Sequence, residues 1–194
     1  IISYEEMLEM ASLGAKVMQP VSIQDARLNR INIEVKSSFK KNTGTLITKK
    51  KNIINSKIIT GISFTQNDAK VTLVGVKDKP GVAAMIFKPL SKNSINVDMV
   101  VQNISANGKE TISENKKINF RKLIFDGNVS KISIIGVGMV TTPGVTFRMF
   151  QALANKKINI QVISTSEIKI SVLINKKNTS KAITALHNEF KLDH

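Results

Sequence analysis

The sequence predicts an α+β chain in which one small unit is present twice, and two observations carry that prediction. A stretch of about thirty-five residues recurs, as VTLVGVKDKPGVAAMIFKPLSKNSINVDMVVQNIS from Val71 to Ser105 and as ISIIGVGMVTTPGVTFRMFQALANKKINIQVISTS from Ile132 to Ser166. Each copy is built around Pro-Gly, so that Pro80 maps onto Pro143, Gly81 onto Gly144 and Asn96 onto Asn159. A repeat fixes the architecture before any single residue is read. Two like units tend to pack about a pseudo-twofold axis, and the seam between them is a natural ligand site.

The elements follow in chain order. Tyr4 to about Met18 reads as a helix: Ser3 caps it, Glu6 sits three residues on, and Met7, Leu8, Ala11 and Ala15 share a face. A second short helix covers Val21 to Leu28, and Ile31, Ile33 and Val35 alternate with polar residues as in a strand. Phe39 to Asn52, with Thr43-Gly44-Thr45 and the run Lys49-Lys50-Lys51, reads as loop. Ile58 to Phe64 is a short strand.

In the first copy, the apolar run Val71 to Val76 suggests a central strand buried on both faces. Pro80-Gly81 opens a helix that Pro89 should kink or shorten. Val97 to Ile104 is the next strand, followed by a short helix at Ser113 to Asn119 and a strand at Lys122 to Phe125. The second copy runs strand Ile132 to Val137, helix Gly144 to Ala154, strand Ile160 to Thr165, strand Lys169 to Ile174, and a helix capped by Thr179 that reaches Phe190. That order is βαββα. One more strand completes a ferredoxin-like βαββαβ unit, and Ile58 to Phe64 can supply it from outside the copy.

Composition narrows the function classes. With 194 residues and 42% hydrophobic content, the chain supports one large or two small domains with a real core. It has no cysteine, and its two histidines, His187 and His194, lie near the C-terminus as surface residues; neither a disulfide framework nor a metal site is expected. No apolar run reaches membrane-spanning length, and the first residues, Ile-Ile-Ser-Tyr-Glu-Glu, lack the features of a signal peptide. Without an initiator Met they look like the interior of a longer chain, and a cytoplasmic location is the expectation. The net charge of +15 invites a nucleic-acid reading, but the excess is almost all Lys in scattered pairs, and aromatic residues make up only 5%. A solvated lysine surface is expected instead, with no nucleic-acid partner.

The residues that could carry chemistry surround the two Pro-Gly turns. A helix's first turn offers free backbone N–H groups and favours an anion such as a carboxylate. Gly81 and Gly144 let a ligand approach the backbone, and Asp78 stands where it can meet an ammonium group. A carboxylate-binding helix end beside an ammonium-binding Asp suits an α-amino acid; the alternative is that Pro-Gly merely starts a helix. Asp98, Gln102 and Asn103 follow the first helix, and Asn159, Gln161, Ser164, Ser166 and Glu167 follow the second. In apolar strands such residues are either edge positions facing water or ligand contacts. No Ser/His/Asp set, zinc-protease motif or phosphate loop is present, so no catalytic site is expected.

Four segments, VTLVGVKDKPGVAA, INVDMVVQNIS, ISIIGVGM followed by PGVT, and above all NIQVISTSEIKISVLI, resemble the tandem ACT domains of bacterial aspartokinases. SYEEMLEMASLGAKVM and IEVKSSFKKNTGTLIT are similar to the end of the aspartokinase catalytic domain. The implied fold is α+β: tandem ferredoxin-like (βαββαβ) ACT domains preceded by the tail of an α/β amino-acid-kinase domain. The implied boundaries are 1–55 for that tail, 56–128 for a first ACT domain with an incomplete second half, and 129–194 for the second. The family's Lys-Phe-Gly-Gly-Thr-Ser motif is absent. The resemblance therefore implies a regulatory part like a separate β subunit, with ATP and Mg belonging only to a catalytic half. A fragment of an active ATP-dependent aspartate kinase, making 4-phospho-L-aspartate, is the alternative. Pro20-Val21 stands where the family has Pro-Arg, which points to a weakened parent kinase, and Ala106 to Asn128 is short for the family.

By resemblance the effectors are threonine and/or lysine, bound at seams between ACT units in a homodimer or a pair with a catalytic chain. The threonine site would use Asp78, Gly81, Ala83 and Gln102 from one unit and Thr146, Asn159 and Ile160 from the facing one. A lysine site would use Asp98, Ser166 and Glu167. Val140-Thr141-Thr142 departs from the family pattern and bears on the lysine site.

Overall fold

The computed structural model describes residues 1–41, 43–49, 57–76, 79–102 and 120–192. Two compact units emerge, one made of residues 1–68 with 128–194, the other of 69–127.

The larger unit begins with β1 (Ile2–Ser3) and α1 (Tyr4–Ser12). Ser3 and Glu6 form the expected capping box: the Ser3 hydroxyl accepts from Glu6 N at 3.2 Å, and Glu6 Oε2 accepts from Ser3 N at 3.0 Å. The helix is shorter than expected, because Leu13 caps it and Gly14 turns the chain away at φ 116°. α2 (Pro20–Leu28) follows, and then β2 (Ile33–Val35). The segment expected to be loop contains β3 (Thr45–Thr48), the centre of the small sheet β1-β3-β2. Flanking Gly and Lys disguised it, yet Ile47 is fully buried against Tyr4, Ile23 and Ala26. β-branched residues such as those of Thr-Leu-Ile-Thr suit a pleated, half-buried surface.

The second repeat forms a four-stranded antiparallel sheet. Its members are β7 (Val129–Ile135), β8 (Ile160–Ser166), β9 (Lys169–Asn175) and β4 (Gly61–Thr65), in the order β4-β7-β9-β8. β4 is the strand read as joining from outside the copy. It pairs with β7 from Gly61↔Ile135 to Thr65↔Lys131 and so takes the place of the terminal strand of a ferredoxin-like unit. α4 (Val145–Asn155) and α5 (Thr179–Glu189) cover the sheet. Ile132, Ile134, Met149, Leu153, Val172, Ile174 and Leu186 are all fully buried between the layers. Burying such a side chain contributes about 1.5–3 kcal/mol each, so this core is the main stabilising element of the unit. Thr179 does not cap α5 as expected: Asn178 occupies the cap position, and the Thr179 hydroxyl donates to Lys176 O at 2.7 Å, bracing the 3₁₀ turn Lys176–Asn178. His187 lies half-buried on α5, and His194 is outside the described residues.

The smaller unit holds β5 (Lys70–Val74), α3 (Val82–Lys92) and β6 (Lys122–Asp126), with β5 and β6 paired antiparallel. β5 is not the doubly buried strand expected. None of its residues is buried, Val71 and Val74 are exposed, and β6 is its only neighbour among the described residues. The strand expected at Val97 to Ile104 is irregular over 97–102; the rest of it and the Ser113–Asn119 helix lie outside the described residues. Pro89 does not end α3: it stands one turn from the C-terminus, where one N–H is lost, and Pro89 O accepts from Asn93 Nδ2 at 2.8 Å. α3 buries none of its residues, and Val71, Val100, Leu123 and Phe125 are all exposed.

Candidate functional site

The Pro-Gly turn of the second repeat opens onto a cleft. After β7 the chain passes through extended Gly136 into the 3₁₀ turn Val137–Thr141, then through Pro143 to Gly144. Gly144 is the N-cap of α4 at φ 86°, and its carbonyl accepts the first helical bond, from Arg148 N at 3.0 Å. Gly81 repeats this in the first copy, with φ 91° and Met85 N donating to its carbonyl at 3.1 Å. At neither glycine would a Cβ meet an atom within 4 Å. The left-handed backbone, rather than crowding, selects glycine, and the space in front stays open.

The cleft has a volume of about 310 Å³. Met139, Thr142, Gly144 and Thr146 line one wall, and Ser166 and Glu167 line the other. That second wall is the tight turn between β8 and β9, closed by the Ser166↔Lys169 pair. Lys169 Nζ reaches Glu9 Oε2 at 3.0 Å, which anchors the turn to α1. The N-terminal turn of α4, with its positive dipole end, therefore faces a carboxylate across a small cleft. Such a pairing is complementary to a zwitterion.

The structure brings together Thr146 from the threonine set and Ser166 and Glu167 from the lysine set. Asn159 and Ile160 stand at the opposite end of β8, Asn159 exposed and Ile160 packed on the core. In the smaller unit Gly81 and Ala83 mark the start of α3, with Asp98 and Gln102 exposed in the irregular segment after it. Asp78 and Asn103 lie outside the described residues.

The described geometry has a counterpart among known proteins. The ACT domain family model matches residues 71–114 and 132–190, more than half of the chain. The chain belongs to the ACT domain family. It is 45% identical to an aspartate kinase of Pseudomonas fluorescens, over 99% of its own length and 51% of that protein. The chain thus spans about half the length of the curated relatives it matches. The regulatory subunit of aspartate kinase from Thermus thermophilus, solved ligand-free, is 31% identical with a TM-score of 0.58, covering 69% of this chain and 99% of that one. An aspartate kinase of Clostridium acetobutylicum shares the fold at a TM-score of 0.81 and 24% identity, over 97% of this chain and 48% of that one. Among the described residues, no helix is long and apolar enough to cross a membrane.

One residue beside the ACT cleft has a role that sequence reading missed. Glu6 is 1% exposed and accepts four hydrogen bonds. Oε2 takes Ser3 N and the Ser3 hydroxyl (2.8 Å), while Oε1 takes the Thr60 hydroxyl and Val137 N (2.9 Å). The capping-box motif announces only the first pair; Thr60 and Val137 are 54 and 131 positions away, and no local pattern marks them. Burial is the largest influence on this carboxyl and pushes its pKa up. The bonds from Thr60, Val137 and Ser3 together outweigh it and hold Glu6 below the ordinary value of 4.5. A depressed folded pKa contributes stability that is present above the unfolded value and lost as pH falls through the folded one. Urea unfolding followed downward from about pH 5 should therefore show stability falling, and Glu6→Gln should flatten that fall.

Proposed function

We propose that this chain is the regulatory part of an aspartate kinase, binding threonine and/or lysine as feedback effectors. The observation that carries the reading is the facing of the α4 N-terminus and Glu167 across one cleft. The effector's carboxylate sits on the free N–H groups of α4 and its ammonium group on Glu167, with Ser166 and Thr146 adding hydrogen bonds. The first repeat supplies the equivalent turn through Asp78, Gly81 and Ala83, with Asp98 and Gln102 from the segment after α3.

The remaining groups come from a second ACT chain, in a homodimer or with a catalytic chain. The apolar side chains left exposed on the smaller unit, Val71, Val100, Leu123 and Phe125 among them, support such a partner, since apolar surface of this kind is normally covered. Effector binding favours the closed arrangement of that assembly and shifts its population. The parent enzyme phosphorylates aspartate from ATP, a reading favoured by the 45% identity to an aspartate kinase over half its length.

Isothermal titration with threonine, repeated in the presence of lysine, tests this. Saturable threonine binding that Asp78→Ala abolishes is the expected result, and tighter binding with lysine present marks concerted control. No heat and no thermal stabilisation with either amino acid would overturn the reading.

A further inference from the structure

We propose that Glu6 is a positioning residue that ties the amino-terminal helix α1 to the loop forming the α4 cleft, so that the state of one is felt by the other. The argument starts from where its four bonds go. Two stay at home in the capping box and fix the first turn of α1. Two leave it: the Thr60 hydroxyl comes from the residue that leads into β4, and Val137 N opens the 3₁₀ turn that ends at Thr141. Met139, within that turn, and Thr142, which ends it, both line the cleft, two and five residues after Val137.

The attachment is rigid on both sides. Thr60 N donates to Ile135 O at 2.8 Å, and Gly136 and Gly138 lie so close to the 57–59 backbone that a Cβ at either would overlap it. α1 is held in turn, because Ser63 Oγ donates to Met10 O at 3.2 Å and Lys169 pairs with Glu9. A buried carboxylate with four donors cannot lose two of them cheaply. A hydrogen bond to a charged group contributes more than a neutral one, and a buried acceptor stripped of its donors is left unsatisfied. A shift of the loop on ligand binding must therefore carry Glu6 and the start of α1 with it, or break that set.

This inference rests on the effector reading only for what moves the loop; the link itself is testable without ligand. The experiment is amide hydrogen exchange on the whole chain, for the parent, Glu6→Gln and Thr60→Val. Thr60→Val removes one donor to Oε1 while leaving the carboxylate and the capping box in place. In both variants the 137–142 amides should exchange roughly tenfold faster, while β8, β9 and α5 amides keep their parent rates. Unchanged loop exchange in both variants, or equal acceleration throughout the sheet, would overturn the link. With threonine and lysine added to the parent, protection should appear at 144–147 and also across α1; in Glu6→Gln the α1 part should vanish. Protection of α1 that persists in Glu6→Gln counts against the link. Absence of any protection in the parent counts against the effector reading, and the ligand-free comparison still decides the link.

Discussion

Gly136→Ala is expected to destabilise the larger unit by about 3 kcal/mol, lowering its melting temperature by roughly 10 °C. A Cβ at this position lies 2.2 Å from Ile58 O and 2.7 Å from Ile59 Cα. Both are backbone atoms, so no side chain can swing aside. Gly136 has φ 177°, an extended conformation open to any residue, so the whole effect is steric. Neither partner can retreat. Ile59 is buried in the main core at 2% exposure, and the segment runs straight into the Gly61↔Ile135 pair of the sheet. On its other side Gly136 N donates to Ile168 O at 3.0 Å. Relief requires opening the β4–β7 edge or lifting the 3₁₀ turn that carries Val137 and Met139. Urea or thermal unfolding measures the cost. Gly81→Ala is the control: with nothing within 4 Å it should lose only the left-handed backbone penalty, about 1–2 kcal/mol. A loss below about 1 kcal/mol for Gly136→Ala would mean that the 57–59 segment yields.

The same segment shows what the sequence could and could not disclose. The repeat, the two Pro-Gly helix starts and the β7–α4–β8–β9–α5 order were legible because they are local patterns: alternation, periodicity and turn chemistry. The βαββα pattern left one strand unaccounted for, and β4 fills that place. β3 was hidden because four residues between a glycine turn and a lysine run carry too little periodicity, and tertiary burial of Ile47 decided the outcome. β5 misled in the opposite sense. A continuous apolar run reads as a buried strand, yet none of its residues is buried in this chain. The cleft was half legible: Gly144 and Glu167 each stood out, but only folding sets the β8–β9 turn opposite the start of α4. Glu6 illustrates the limit, since a residue that satisfies a local motif gives no sign of two further bonds made across the fold.

The second large effect is expected at Glu167, where reversal of charge should lower effector affinity about thirtyfold. Two unit charges about 4 Å apart attract by roughly 4 kcal/mol at an effective dielectric of 20, and exposure to solvent cuts this to the order of 1 kcal/mol. Glu167→Lys removes that attraction and adds a comparable repulsion, so the sum is roughly 2 kcal/mol, about a thirtyfold change in affinity. Glu167→Gln should lose about tenfold or less, because only the attraction disappears. Folding is not at stake: Glu167 is exposed on a two-residue turn, and the anchoring Lys169–Glu9 pair is left in place. Isothermal titration with lysine, threonine and norleucine separates the two ammonium groups. If Glu167 meets the ε-ammonium, only lysine weakens, since norleucine lacks that group. If it meets the α-ammonium, all three weaken together, and the cleft reads the amino-acid backbone while the side chain is selected by the partner chain. Equal affinity of Glu167→Lys and the parent for every ligand would remove Glu167 from the site and leave the α4 N-terminus without its counter-charge.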